Sequence, residues 1–285
     1  MIYILLAVVC SVLVSVLLKL AVSYQVDVGQ AVAWNYVVAA ALTCAVFHPD
    51  IGTLWSANTP WLGLVGLGLL LPTIFLALGA SVRYAGIVRS EAAQRLSLLI
   101  SLLAAFVWFG DSLSGLKAAG ITLGLLALLG MVWRRHEDET TADRAAWLYP
   151  LLVFVGFGVI DILFKRVAQA GLSFAAVLLG MFVLSLLVAF ALQLWRVMRG
   201  TTRPTWRNTL AGMLLGVLNF GNIVFYLRGH QALAQRPALV FASMNLGVVA
   251  LGAVVGMLVF GERLSRLNLA GLVLALAAIG LITQG

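Results

Sequence analysis

Apolar residues fill the chain in runs of roughly twenty, separated by short polar interruptions, with neither the strict alternation of a strand nor the one-faced stripe of a soluble helix. A helix needs about 20 apolar residues, at about 1.5 Å each, to cross a hydrocarbon core about 30 Å thick. The pattern predicts membrane-spanning helices at residues 2–22, 30–48, 60–81, 88–109, 115–134, 147–168, 172–195, 207–228, 236–260 and 267–284. The expected fold is an all-α integral membrane protein of about ten transmembrane helices. The connections are too short to fold separately, which leaves no room for a soluble catalytic or nucleic-acid-binding domain.

Composition agrees. The 285 residues are 63% hydrophobic and 10% charged, whereas a soluble domain has roughly a quarter of its residues charged. Cys10 and Cys44 fall inside the first two spans and are read as packing groups rather than a disulfide. The leading run lacks an early basic residue, so it is expected to stay as the first helix rather than act as a cleaved signal. Tryptophan prefers the headgroup level, and Trp34, Trp55, Trp61, Trp108, Trp133, Trp147, Trp195 and Trp206 stand at or near span boundaries.

The net charge of +8 does not point to nucleic acid, because the basic residues are dispersed at helix ends rather than gathered in one stripe. They report orientation instead. Thirteen of the 18 Lys and Arg residues, among them Arg83, Arg89, Arg95, Arg196 and Arg199, border the odd-numbered loops, and five border the even ones. Cytoplasmic loops hold the basic excess, so both termini are expected outside a bacterial inner (plasma) membrane.

The chain repeats itself. FGDSLSGLKAAGITLGLL from Phe109 matches FGERLSRLNLAGLVLALA from Phe260 at an offset of 151, with Asp111 opposite Glu262. That shared place in a helix-to-helix turn suggests a shared role at a helix terminus. Tyr3–Lys19 likewise matches Tyr149–Lys165 at an offset of 146. The expected organisation is a first repeat over 1–134, a hydrophilic linker over 135–146 and a second repeat over 147–285. Five helices per repeat is an odd number, so the second copy inserts upside down, giving two inverted-topology repeats about an axis in the membrane plane. Such halves can exchange shapes and open a midplane site to either side in turn.

Over nearly its whole length the chain resembles the drug/metabolite transporter superfamily, in the EamA-like branch with two five-helix repeats. The most specific shared element is the Gly-Glu turn with the Gly-containing last helix that follows it, FGDSLSGLKAAG and FGERLSRLNLAG here. Asp111 departs from the usual Glu. The resemblance implies secondary transport or exchange of metabolites such as amino acids, sugars, nucleotide conjugates or drugs.

Charges inside a span cost about 3 kcal/mol or more at its centre, so each one needs a structural or a functional explanation. Glu91 and Arg95 stand one turn apart with the acid first, the favourable order for an ion pair. Facing the bundle interior, Arg95 would hold a substrate carboxylate or phosphate while Glu91 sets the charge or exchanges a proton; near the headgroups both would snorkel. Asp161 and Lys165 form a second such pair. The repeat sets Lys165 opposite Lys19, which lacks an acid on its own helix and is expected to snorkel. The first helix offers only Ser11, Ser15 and Lys19, unlike the related small multidrug exporters, which carry a membrane-embedded Glu there.

Pro72 is expected to bend the third span, and Asn219, Gly221 and Asn222 to interrupt the eighth at the matching level, exposing backbone groups to a ligand. The offset of 151 also pairs Gln94 with Asn245. With Asn35, these amides either bind a polar substrate or tie helices together, at about 0.6 kcal/mol each. The spacings Gly120/Gly124, Gly212/Gly216 and Gly252/Gly256 suit close helix packing.

The linker residues His136, Glu137, Asp138 and Glu139 lack the fixed geometry of a metal site, and no metal or other cofactor is expected. No HExxH, GxSxG or phosphate loop with Lys occurs, so the chain is not read as an enzyme or an ATP-driven pump. The leading expectation is a secondary transporter or exporter of small organic metabolites by alternating access around a midplane cavity. A flippase for a lipid-linked sugar or phosphate, with Arg95 and Arg83 on the headgroup, and a non-transporting membrane scaffold are the alternatives. Expected partners are a small-molecule substrate and membrane lipid, with no nucleic acid; the sequence leaves the oligomeric state open, a monomer included.

Overall fold

The structure, a computed structural model, describes residues 1–56, 59–109, 115–132 and 141–284. Among these residues all regular structure is helical, as a lipid solvent requires of a chain that must satisfy its own backbone groups. The helices are α1 (Ile2–Ser23), α2 (Val28–Phe47), α3 (Trp61–Ala85), α4 (Ile87–Leu96), α5 (Leu98–Phe109), α6 (Gly115–Val132), α7 (Thr141–Gln169), α8 (Phe174–Met198), α9 (Trp206–Ala232), α10 (Pro237–Leu258) and α11 (Arg266–Gln284), with a short 3-10 turn at Ile51–Trp55. Eight of the described helices are long and apolar enough to cross a membrane, and Ala118–Gly130 is a shorter apolar helix. The chain is an integral membrane protein of about ten helices.

The fourth span is where the structure departs most from the expected pattern. It is two helices, interrupted at Ser97, whose N–H bonds Ala93 O (3.2 Å), whose carbonyl accepts from Ile100 N–H (2.9 Å) and whose hydroxyl donates to Gln94 O (2.6 Å). The expected interruption at Gly221 is corrected: α9 runs unbroken through Asn219, Gly221 and Asn222. Glycine costs a helix about 1 kcal/mol relative to alanine, which is small beside stranding backbone groups in a membrane. Gly221 instead packs against α1, where a Cβ would lie 3.4 Å from Cys10 Sγ. Pro72 is buried within α3, and that helix too continues past it.

Two compact units emerge, and each takes segments from both halves of the sequence. One comprises Met1–Lys19, Ala77–Gly158 and Gly221–Gly285; the other comprises Leu20–Leu76 and Val159–Phe220.

In the first unit, Ile4, Ala7, Val8 and Val12 of α1 form an apolar core with Val240, Met244 and Val248 of α10. Glycines let other helices meet closely. A Cβ on Gly120 would stand 2.6 Å from Ile282 of α11, and one on Gly124 2.7 Å from Leu99 of α5. Arg89 and Asn268 are both buried, and Arg89 donates to Asn268 Oδ1 (2.8 Å) while Asn268 Nδ2 donates to Gly130 O (3.0 Å). Arg89 and Arg95 therefore are not loop charges, although the sequence pattern groups them with that side.

In the second unit, α2 and α8 run antiparallel: Asp27 meets Arg196 at one end, and Phe47 packs edge-on to Phe174 at the other. Tyr36 is fully buried between Phe75 and Phe182. Asp27 caps α2 by accepting from Gly29 N–H (2.8 Å) and Gln30 N–H (3.2 Å), and it takes both arms of Arg196 at 2.8 Å and the Thr202 hydroxyl at 2.6 Å. Partial burial pushes its carboxyl up. The hydrogen bonds from Arg196 and Thr202, the Arg196 charge and the Gln30 N–H outweigh that and hold it below the usual carboxylate range. Gln30 and Asn208 complete the knot, bonded to each other at 3.0 Å.

Candidate functional site

The first unit holds a polar seam between α1 and α4. Ser11, Ser15 and Lys19 recur every four residues, so they stack on one face of α1. Each faces a charged group: Arg95 Nη2 donates to Ser11 Oγ at 2.7 Å, Ser15 Oγ donates to Glu91 Oε1, and Lys19 Nζ lies 3.3 Å from Glu262 Oε1. Lys19 lacks an acid on its own helix, yet it is paired. Its acid partner comes from the turn after α10, and it also donates to Val82 O at 3.2 Å.

Glu91 is 1% exposed, and Gly252 of α10 opens the space for it, since a Cβ there would stand 3.1 Å from Glu91 Cγ. Its pairing with Arg95 is loose. The closest approach is 3.9 Å, beyond hydrogen-bond distance, and Glu91 Oε2 and Arg95 Nε are buried without a hydrogen-bond partner. An ion pair desolvated this far is stabilised by good geometry, which these two groups do not give each other; each is anchored to a serine across the seam instead. Chemically, the seam offers one carboxylate oxygen, Glu91 Oε2, and one guanidinium N–H, Arg95 Nε, with unmet hydrogen-bonding capacity.

The remaining candidates are dispersed. Asn245 is buried and donates to Phe241 O of its own helix at 2.9 Å, which turns its amide back along α10. Gln94 is half-buried on α4, and Asn222 is half-buried on α9. Asn35 and Asn219 belong to the second unit, where Asn219 Nδ2 donates to Asn35 Oδ1 at 3.2 Å. Asp161 and Lys165 are half-buried, four residues apart on α7. Asp111 and the linker acids lie outside the described residues.

Sequence reasoning missed the Asp27–Gln30–Arg196–Asn208 knot and the Arg89–Asn268 pair. A signal for the first was present: Asp27 stands just before a helix start, the favoured place for a capping carboxylate. Arg89 and Asn268 are 179 residues apart, and no local pattern joins them.

The EamA-like transporter family profile matches residues 1–133. An uncharacterized protein of Haemophilus influenzae is 41% identical over 280 residues, covering 96% of this chain and 94% of that protein. A solved protein crystal structure is 18% identical with a TM-score of 0.60, covering 98% of this chain and 96% of that one, and it supports the fold alone. The profile match, with the helical membrane architecture, gives the conclusion that the chain belongs to the EamA-like transporter family, within the drug/metabolite transporter superfamily.

Proposed function

We propose that the protein is a secondary transporter of small organic metabolites that works by alternating access, with the α1–α4 seam forming part of the solute path. One observation carries this reading. A membrane-spanning unit buries Glu91 and Arg95 at considerable cost, yet holds them 3.9 Å apart with unmet hydrogen-bonding capacity. A scaffold gains little from such an arrangement, because well-packed apolar residues of similar volume are often as stable or more so. In a transporter the same groups can exchange their serine partners for a polar solute. The reading includes two inverted repeats, 1–134 and 147–285 joined by 135–146, and an inner-membrane placement with both termini outside.

The test is reconstitution into sealed vesicles with a panel of labelled amino acids, sugars and organic cations. Glu91→Gln and Arg95→Ala are expected to abolish the flux of at least one solute that the wild type carries, and Asn245→Ala to leave it largely intact. Equal fluxes in wild type and both seam variants would overturn the placement of the site. A reporter active only in the cytoplasm, fused after Gly285, should stay silent.

The flippase reading has one observation in its favour. An apolar groove of about 730 Å³ opens beside α1 and α10, lined by Ile2, Leu5, Val8, Gly247 and Val254 among others. It suits an acyl chain. Among the described residues no Lys or Arg side chain lines it to hold a headgroup, so this reading ranks second.

A further inference from the structure

Every residue of the first two turns of α4, Ile87 to Ala93, is buried. The opening N–H groups of a helix have no partners within it, and here they cannot turn to water. The residue that would ordinarily cap them is Gly86, which has no side chain to offer. The acceptor comes from far along the chain: Glu262 Oε1 accepts from Ile87 N–H at 2.7 Å and Oε2 from Val88 N–H at 3.2 Å. The carboxylate also meets the positive end of the helix dipole.

The surroundings are shaped for this contact. Gly86 sits at φ 91°, a conformation that favours glycine, and a Cβ there would fall 2.6 Å from the Glu262 carboxyl carbon. A Cβ on Gly256 would fall 2.9 Å from Glu262 Oε2. Gly261, left-handed at φ 63°, reverses the chain after α10 so that Glu262 N–H bonds Gly256 O at 2.9 Å. The same carboxylate takes Lys19, at the end of the serine ladder on α1.

We infer that Glu262 is a positioning residue: by holding the start of α4 and Lys19 of α1 on one carboxylate, it sets the register in which Ser15 meets Glu91 and Ser11 meets Arg95. The register is a property of the first unit alone; only its consequence for solute flux rests on the transport reading above.

Hydrogen exchange on the full chain in nanodiscs tests the register without any solute. Glu262→Gln should speed exchange of the Ile87 and Val88 amides about tenfold and reach the turn bearing Glu91 and Arg95, while the Gly29 and Gln30 amides keep their wild-type rates. Lys19→Met keeps the carboxylate cap and should give a smaller rise, about twofold, at the same amides, which serves if Glu262→Gln fails to fold. Unchanged exchange at Ile87 and Val88, or uniform acceleration that includes α2, would overturn the inference.

With a solute from the vesicle panel, Glu262→Gln should lower flux in the wild-type background. It should have no further effect in a partially active Arg95→Lys background, because both changes act through one seam. Additive losses would mean that Glu262 acts elsewhere. Altered exchange with unaltered flux would keep the positioning role and refute the seam as a solute path.

Discussion

Two charged clusters, one in each unit, solve the same problem in opposite ways. Around Asp27 the charges are locked: two arms of Arg196 at 2.8 Å, one hydroxyl and two backbone N–H groups converge on a single carboxylate at the start of α2. Around Glu91 the charges are deeper, yet each has one firm partner and they stand 3.9 Å from each other. The more costly burial carries the looser geometry. Bonding on every side suits a group that only holds the fold; on the transport reading proposed above, the looser geometry leaves Glu91 and Arg95 able to exchange partners.

Removing one charge from the seam should produce the largest effect. Glu91→Leu leaves Arg95 uncompensated and is expected to cost about 3–5 kcal/mol of stability, measured by thermal unfolding in detergent. The double change Glu91→Leu with Arg95→Leu should recover most of that loss while leaving transport abolished. If the double variant is as unstable as the single, the seam is a structural lock like the Asp27 knot. Asp27→Ala should cost about 1–2 kcal/mol, the combined worth of a cap and a half-exposed ion pair, with transport retained.

Gly29→Ala should act on the same knot more gently. A Cβ there would run into Arg196 Nη1, so the guanidinium must withdraw, at about 0.5–1 kcal/mol. The smallest effect is in pH. Asp27 has its carboxyl lowered by folding, so its contribution is complete above its unfolded value of about 4 and is lost as pH falls through the folded value. The stability gap between wild type and Asp27→Asn should be constant from neutral pH to about pH 5, then narrow with further acidification.

The spans were legible because length and hydrophobicity settle where a chain can cross lipid. Lys19, Glu91 and Arg95 were legible as costly charges for the same reason. Their partners were not. Nothing around Lys19 announces an acid from the turn after α10, and nothing in IVRSEAAQRL shows that its N-terminus is capped by a residue 175 positions on. The Gly-Glu turn was recognisable as a device at a helix terminus, but the terminus it serves belongs to another helix. Gly221 misled because its helix penalty is small against backbone satisfaction, whereas Ser97, which does mark a break, carries no strong local signal.

The dependence of α4 on distant partners bears on how the protein is made. Three charges in ten residues make this segment a poor candidate to partition into lipid by itself, at about 2.5–3.5 kcal/mol per charge near a helix centre. The groups that satisfy it, Glu262 and Asn268, emerge from the ribosome more than 170 residues later. During synthesis the buried start of α4 therefore cannot acquire its cap until the turn after α10 has been made, nor Arg89 its bond to Asn268 until α11 has begun.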